Sequence, residues 1–135
     1  MAFDTRLLLP LTWMAGIFAL SSIPDTTHPA SLPEQVLHWV SPGLQNLLHV
    51  PLYFGLAMAW LWALEKRLAP APRMAVTAVV TGLWALLDEY HQLFVPGRFG
   101  SWTDVALDEL GLLAALMVAA RRERISINHI RDADS

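Results

Sequence analysis

Two short polar segments of this chain carry most of the side chains that could do chemistry. The first, residues 88–92 with the sequence DEYHQ, ends a long apolar run, and the second, residues 104–109, begins another. An ionisable side chain inside a membrane segment costs roughly 2.5–3.5 kcal/mol on insertion scales, so an intramembrane carboxylate is a functional-site hypothesis by default. A carboxyl group beside a histidine can act as a general acid or base near neutral pH. Asp88, Glu89 and His91 are therefore the candidate catalytic residues.

The composition is that of a membrane protein. The chain has 135 residues, of which 55% are hydrophobic and only 16% charged, whereas roughly 25% charged residues are expected in a soluble domain. The mean hydropathy is +0.42. A net charge of −3 without a basic stripe argues against nucleic acid as a partner. The absence of cysteine excludes disulfides, thiolate nucleophiles and cysteine-bound metals.

Apolar runs separated by proline, glycine and charged residues predict an all-α polytopic membrane protein. We expect a four-transmembrane-helix bundle with a short interfacial helix between spans 1 and 2. The four spans are expected at about residues 6–23, 44–64, 74–95 and 103–120. They form one domain, residues 1–124, followed by a loose polar cytoplasmic tail, residues 125–135. The short helix is expected to begin at Ser31, because Glu34 three residues later completes a capping box.

The basic residues predict the orientation in the membrane. Lys66, Arg67 and Arg73 fall in one loop, and an arginine-rich segment, residues 121–124, follows the last span. Both places are an even number of crossings from the N-terminus, so the positive-inside rule puts both termini in the cytoplasm. Arg98 is then on the outer side.

Polar groups from several spans are predicted to lie at one depth. Counted from the outer ends of their spans at 1.5 Å per residue, His49, Asp88 and Asp108 each lie about 10 Å below the outer surface. We therefore expect a polar cup that opens outward. Arg98 overhangs it and suits a phosphate or carboxylate, because its planar guanidinium makes bidentate hydrogen bonds. The candidate substrate-binding residues are Arg98, His49, Tyr53, Ser21, Ser22, Gln92, Asp104 and Asp108.

The cup holds more carboxylates than cations. Close carboxylates at low dielectric cannot all ionise cheaply, so we expect at least one of Asp88, Glu89, Asp108 and Glu109 to share a proton with a neighbour. No cofactor is predicted. The alternative is a divalent metal at His49, Asp88, His91 and Asp108, where oxygen ligands favour Mg²⁺ or Mn²⁺ and histidines favour Zn²⁺.

The order of these motifs resembles the VanZ-like family of small bacterial integral membrane proteins. The segment DEYHQ-x3-PGR, residues 88–98, is the most specific match. The other matching pieces are residues 21–24 (SSIP), His49 with Tyr53, Gly100-Ser101, Asp104 and Gly111. Together they cover most of the chain. Where the family usually has asparagine, this chain has Asp108, which adds a carboxyl group.

The resemblance implies a multi-pass protein of the bacterial plasma (inner) membrane and cell envelope. The family's named member is associated with resistance to the glycopeptide antibiotic teicoplanin. The resemblance supplies no established reaction.

Three hypotheses for function follow from the sequence. In the first, the cup binds an anionic lipid or cell-wall-precursor headgroup, with Arg98 on the anion and Asp88, Glu89 and His91 as polar or acid/base groups. Whether it is an enzyme stays open, since no nucleophile motif, glycine-rich phosphate loop or HExxH sequence is present. In the second, the chain is a non-enzymatic membrane partner or drug-occluding module whose polar cluster fixes helix packing. A small proton-coupled transporter, the third, lacks a continuous polar path.

Overall fold

The computed structural model describes residues 5–25, 30–39 and 42–133, without the side chains at 37–39, 42–43, 130 and 133. All the regular elements in these ranges are helical. A 3₁₀ turn, Thr5–Leu7, leads into α1 (Leu8–Ser21). The helices α2 (Leu32–Trp39), α3 (Pro42–Leu64), α4 (Pro70–Gln92) and α5 (Trp102–Ala133) follow. The all-α prediction is confirmed.

The central helix of the bundle is α3, which packs against α1, α4 and α5. The helices α3 and α5 approach most closely at Gly111, where an added methyl group would overlap the backbone carbonyl oxygen of Val50. On the other side of α3, the Trp13 indole of α1 lies against Gly55 and donates a hydrogen bond to the Leu52 carbonyl oxygen at 3.1 Å. Small residues on α3 and α5 therefore bring the backbones together.

The apolar core is divided between two interfaces. Ile17, Tyr53, Leu56 and Ala85 are buried together where α1, α3 and α4 meet. A second cluster, built from Ala57, Leu112 and Ala115, lies between α3 and α5. These clusters hold the helices whose ends carry the polar residues described below.

The outward faces of the helices are apolar, and part of the interior is polar. On α4, Val79 and Leu83 are more than half exposed, whereas Thr77 and Thr81 are fully buried. The side chains of a water-soluble bundle are distributed the other way, with the apolar face buried. This distribution suits an environment of lipid around the bundle.

Two helices are long and apolar enough, by length and composition, to cross a membrane: Leu44–Leu64 and Pro70–Gln92. The apolar helix Thr5–Ser21 is shorter. In α5 the stretch without charged residues, residues 110–120, is about half the roughly 20 residues that a span needs. Helical structure and two such helices indicate a membrane protein, while the arrangement of four spans stays a prediction.

The helix boundaries differ most from the predicted spans in α4 and α5. The third apolar helix begins at Pro70 and ends at Gln92, rather than covering residues 74–95. The last helix continues to Ala133, so the prediction of a loose tail from residue 125 is wrong for residues 125–133. Arginine, glutamate and alanine favour helix, and a polar segment that is rich in them extends α5 beyond its apolar part.

The predicted capping box begins α2. The Ser31 hydroxyl donates to the Glu34 carboxylate at 2.9 Å and accepts the Glu34 backbone N–H at 3.4 Å. The same carboxylate accepts the Ala30 backbone N–H at 2.8 Å. Leu32 and Val36 are exposed on this helix. The predicted apolar face also included Leu37, whose side chain is not described, and Val40, which is outside the described residues, so the interfacial position of α2 stays a prediction.

The capping box gives a pH-dependent helix start. The backbone hydrogen bond from Ala30, followed by that from the Ser31 hydroxyl, lowers the pKa of Glu34. Since this pKa is lower in the folded chain, the capping contribution is fully present above the ordinary carboxyl pKa and is lost as the pH falls through the lowered one. We expect the amide protection factors at the start of α2, which correct for the intrinsic pH dependence of exchange, to fall over that acidic interval, and Glu34→Gln to remove this fall. NMR measurements that show the same exchange rates in both proteins would contradict this.

Candidate functional site at one end of the bundle

The last turns of α1 and α4 are joined through Asp88. The Ser21 hydroxyl donates to Asp88 Oδ1 at 2.6 Å, and Gln92 Nε2 donates to Oδ2 at 3.3 Å. Asp88 is only 2% exposed. Ser21 is the last residue of α1 and Asp88 lies one turn before the end of α4. Both carboxylate oxygens are therefore held by neighbouring side chains.

Glu89 joins α4 to the start of α5. Its Oε1 accepts from Gln92 Nε2 at 3.0 Å, and its Oε2 accepts from the Ser101 backbone N–H at 2.8 Å. Ser101 immediately precedes α5, and the N-terminal end of a helix favours a negative charge. The carboxylate of Glu89 therefore fixes where α5 begins, which the sequence analysis did not predict.

His91 lies on the side of α4 that faces α1. Its Nε2 is 2.9 Å from the Ser22 hydroxyl, and its ring stacks on Phe18 with 4.3 Å between the ring centroids. These contacts separate His91 from His49. The structure thus places Ser21 and Ser22 beside Asp88 and His91 respectively, while the acid/base role of the three candidate catalytic residues stays a prediction.

His49 of α3 and Asp108 of α5 form a second pair. His49 Nδ1 is 2.8 Å from Asp108 Oδ1, and the Asp108 side chain has no exposed surface. One ligand atom from each of His49, Glu89 and Asp108 falls within 4.8 Å of the others. The alternative metal set of His49, Asp88, His91 and Asp108 is therefore not the group that the structure brings together. Asp88 and His91 instead contact Ser21 and Ser22, and the third residue of the group is Glu89.

Two further predicted residues lie in the interior beside this pair. Asp104, in the first turn of α5, is buried, and its Oδ1 has no hydrogen-bond partner among the residues that the structure describes. It interacts electrostatically with His49 and with Glu89. Tyr53 is 1% exposed, and its hydroxyl likewise has no partner within the described ranges. Neither side chain is at the protein surface.

A cavity of about 140 Å³ opens between α1, α3 and α4. Its polar lining residues are Ser21, Gln45, His49, Tyr53, Asp88, Gln92 and Arg98. Arg98 follows a turn at Gly97, and its Nε donates to the Ile23 carbonyl oxygen at 3.1 Å. The terminal nitrogens of its guanidinium make no hydrogen bond to a described residue, so they can receive an anion.

The turn before Arg98 is attached to the end of α1. The Asp25 backbone N–H donates to the Pro96 carbonyl oxygen at 3.1 Å. Gly97 has a φ of 76°, and a methyl group at this position would overlap the Asp25 carbonyl oxygen. Only glycine fits both the backbone conformation and the contact. The turn therefore fixes Arg98 beside the cavity.

A larger and more apolar cavity, of about 330 Å³, lies between α4 and α5. Glu89 borders it together with apolar and aromatic side chains, among them Leu86, Tyr90 and Trp102. Of the three candidate catalytic residues, Asp88 thus borders the smaller cavity and Glu89 the larger one. The placement of Asp88 and Glu89 at two different cavities does not follow from the sequence.

The opposite end of the bundle carries a cluster of ion pairs. Arg73, at the start of α4, is buried and binds Glu123 of α5, and it lies 3.9 Å from a carboxylate oxygen of Glu65. Arg6 lies 3.8 Å from the other oxygen of Glu65. From the sequence alone, Arg73 is one of the charges of a loop. Its pairing with Glu123 explains why α5 stays attached to the bundle beyond its apolar stretch.

Helices with apolar outer faces around a buried cluster of carboxylates are typical of a helical membrane protein. This chain belongs to the VanZ/LLP1 family, whose model matches residues 2–123. The resemblance to the VanZ-like family is thereby confirmed. No curated protein and no solved structure shows significant similarity to this chain.

Proposed function

We propose that this chain is a multi-pass protein of the bacterial inner membrane whose outward-facing cup binds an anionic lipid or cell-wall-precursor headgroup. In this proposal α1, α3, α4 and the first part of α5 are the four spans, and both termini are cytoplasmic. Shorter spans are accommodated by local thinning of the bilayer or by flanking residues. The family and the two apolar helices support the membrane location.

The positions of the ionisable residues support the orientation. The group of His49, Asp88, Glu89 and Asp108 is at the end of the bundle where α4 ends and α5 begins. The ion pairs of Arg73 are at the other end of α4. The basic loop around residue 66 and the arginines after residue 120 belong to that second end, which the positive-inside rule assigns to the cytoplasm.

The observation that carries the proposal is the placement of Arg98. Its terminal guanidinium nitrogens make no hydrogen bond to a described residue, and Arg98 lines a cavity that His49 and Asp88 also line. The volume of about 140 Å³ is well above the roughly 10–15 Å³ that a single water molecule needs. That space suits a phosphate or carboxylate group, whose remaining apolar part would stay in the membrane. Any acid/base chemistry on the bound headgroup would fall to Asp88, which borders the same cavity.

The test is native mass spectrometry of the detergent-purified protein. We expect wild type to retain an anionic lipid or precursor and Arg98→Ala to retain at least about tenfold less, since hydrogen bonds to a charged group contribute about 1.5–3 kcal/mol. Arg121→Ala, which removes an exposed arginine beyond the apolar part of α5, is the matched control and should retain the ligand. Equal retention by folded Arg98→Ala and wild type would refute the proposal.

Glu89→Gln tests the contribution of the carboxylate in the same experiment. Glutamine keeps an acceptor for the Ser101 backbone N–H but removes the charge, so we expect a folded protein with altered ligand retention. The host phenotype to measure beside it is susceptibility to teicoplanin, because the family's named member is associated with resistance to that antibiotic. Full activity of both Glu89→Gln and Arg98→Ala in that assay would exclude the cup as the functional site.

A non-enzymatic membrane module is the second candidate, and one observation favours it. A continuous chain of hydrogen bonds runs from Ser21 through Asp88, Gln92 and Glu89 to Ser101, and it links α1, α4 and α5. In such a module these side chains act only in helix packing. This second candidate predicts that Glu89→Gln and Ser21→Ala lower the thermal stability, and that neither the variants nor wild type retain a ligand.

A further inference from the structure

Buried carboxylates near His49 exceed the hydrogen bonds available to them. Asp108 Oδ2 and Asp104 Oδ1 are buried and accept no hydrogen bond from any residue in the described ranges. Asp108 is 0% exposed and Asp104 is 9% exposed. A buried charge in a folded protein is normally paired or coordinates a metal ion. These two unpartnered oxygens each keep lone pairs with which to bind a cation.

The donor atoms around this position suit a divalent cation. One ligand atom from each of His49, Glu89 and Asp108 lies within 4.8 Å of the other two. His49 Nδ1 and Asp108 Oδ1 are 2.8 Å apart. Neighbouring ligand atoms on one Zn²⁺ lie about 3.3 Å apart in a tetrahedral site with bonds of about 2.0–2.2 Å. Spacings of up to 4.8 Å therefore require the side chains to close around the ion on binding.

The existing contacts of Glu89 leave room for a metal bond. Each of its oxygens accepts one hydrogen bond, from Gln92 and from Ser101. A carboxylate oxygen has a second lone pair, which remains available for a cation. The two hydrogen bonds would orient this ligand, as partners of metal-bound carboxylates usually do. Asp104, one turn before Asp108, adds negative charge beside the three ligands.

We propose that His49, Glu89 and Asp108 form a site for one divalent cation of the Mn²⁺ or Zn²⁺ class. One imidazole nitrogen with two carboxylate oxygens suits these ions better than Mg²⁺ or Ca²⁺, which prefer ligand shells made entirely of oxygen. The site ties α3, α4 and α5 together below the cup. It deepens the proposed function, because a cation there would attract an anionic headgroup, but its own test requires no lipid.

The experiment measures binding of Zn²⁺ and Mn²⁺ to the full chain in neutral detergent, after removal of metals with a chelator and without added lipid. Calorimetry reports Zn²⁺, and electron paramagnetic resonance reports Mn²⁺. We expect one cation per chain and a rise in melting temperature on binding. His49→Gln and Asp108→Asn should each weaken binding at least about tenfold, whereas Glu109→Gln, the neighbouring carboxylate outside the site, should bind like wild type.

Two results would overturn the proposal: absence of binding by wild type at millimolar metal, or equal binding by wild type and both ligand variants. Melting temperatures measured without metal identify a variant that has failed to fold. If one of the two ligand variants fails to fold, metal binding by the other one tests the site. Retention of an anionic lipid or precursor is measured separately, by the native mass spectrometry described above. Metal binding with no ligand retained by wild type would refute the headgroup proposal alone, and ligand retention without metal binding would refute the cation site alone.

Discussion

Gly111→Ala should separate α3 from α5 and destabilise the protein by about 3 kcal/mol, at the upper end of the range for overpacked positions. The added methyl group would overlap the Val50 carbonyl oxygen and lie within 2.9 Å of the Phe54 backbone nitrogen. Both are backbone atoms of one helix, so they cannot move aside as a side chain can. Relief therefore requires movement of the whole of α3.

This displacement should reach the site directly. Val50 follows His49 in sequence, and Gly111 lies one turn after Asp108, so a shift at Gly111 would lengthen the distance between His49 Nδ1 and Asp108 Oδ1. We expect a lower melting temperature together with weaker retention of cation and lipid. Thermal unfolding monitored by circular dichroism measures the first effect, and the binding assays described above measure the second.

Gly16→Ala is the matched control, because it makes the same chemical change inside α1. A methyl group at this position would meet no atom within 4 Å. Alanine is favoured over glycine within a helix by about 1 kcal/mol, so this variant should be as stable as wild type or more stable. If Gly111→Ala proved as stable as Gly16→Ala, the close contact of α3 with α5 would be contradicted.

The second large effect is expected for Gly97→Ala, which should lower ligand retention at least about tenfold. A residue other than glycine at the left-handed φ of 76° costs about 1–2 kcal/mol. The methyl group would also overlap the Asp25 carbonyl oxygen. The turn would then detach from the end of α1 and carry Arg98 away from the cavity. We expect retention as low as in Arg98→Ala, measured by native mass spectrometry, with a smaller loss of stability than in Gly111→Ala.

Gly97→Asn distinguishes the two causes of that effect. Asparagine tolerates a positive φ better than alanine, but its Cβ would meet the same carbonyl oxygen. If the contact with Asp25 dominates, as the geometry indicates, Gly97→Asn should bind no better than Gly97→Ala. Full recovery of binding in Gly97→Asn would show that the backbone conformation alone fixes the turn, contrary to the expectation here.

Helical periodicity was sufficient to predict which residues share a face, and it was insufficient to predict their partners. Asp88 and Gln92 do share a face, because they are four residues apart on α4. Their spacing does not predict that Glu89 reaches Ser101, nor that His91, a member of the alternative metal group, lies beside Ser22. The rotation of each helix about its axis is set by packing in three dimensions, which spacing along one helix does not contain.

Composition predicted the helical class and the apolar segments better than it predicted where each helix ends. Pro96 and Gly97 predict the turn at the end of the motif of residues 88–98, and Gly97 has the positive φ of a turn. The decrease in hydropathy after residue 120 predicts that the last span ends there, whereas α5 continues to Ala133. Helix formation continues without burial where the residues favour it, and the Arg73–Glu123 pair is a long-range contact that local sequence cannot reveal.

The buried face of α4 bears on how the protein enters a bilayer. This face carries hydroxyl, amide, carboxylate and guanidinium groups along most of the helix, at Arg73, Thr77, Thr81, Asp88, Glu89 and Gln92. A lone α4 would expose these groups to lipid, which is unfavourable for charged and polar side chains. The apolar half of α4 suffices for recognition as a membrane segment, but its polar half is shielded only beside the other helices. Insertion and assembly of α4 should therefore occur together, with α3 already in place and α5 following.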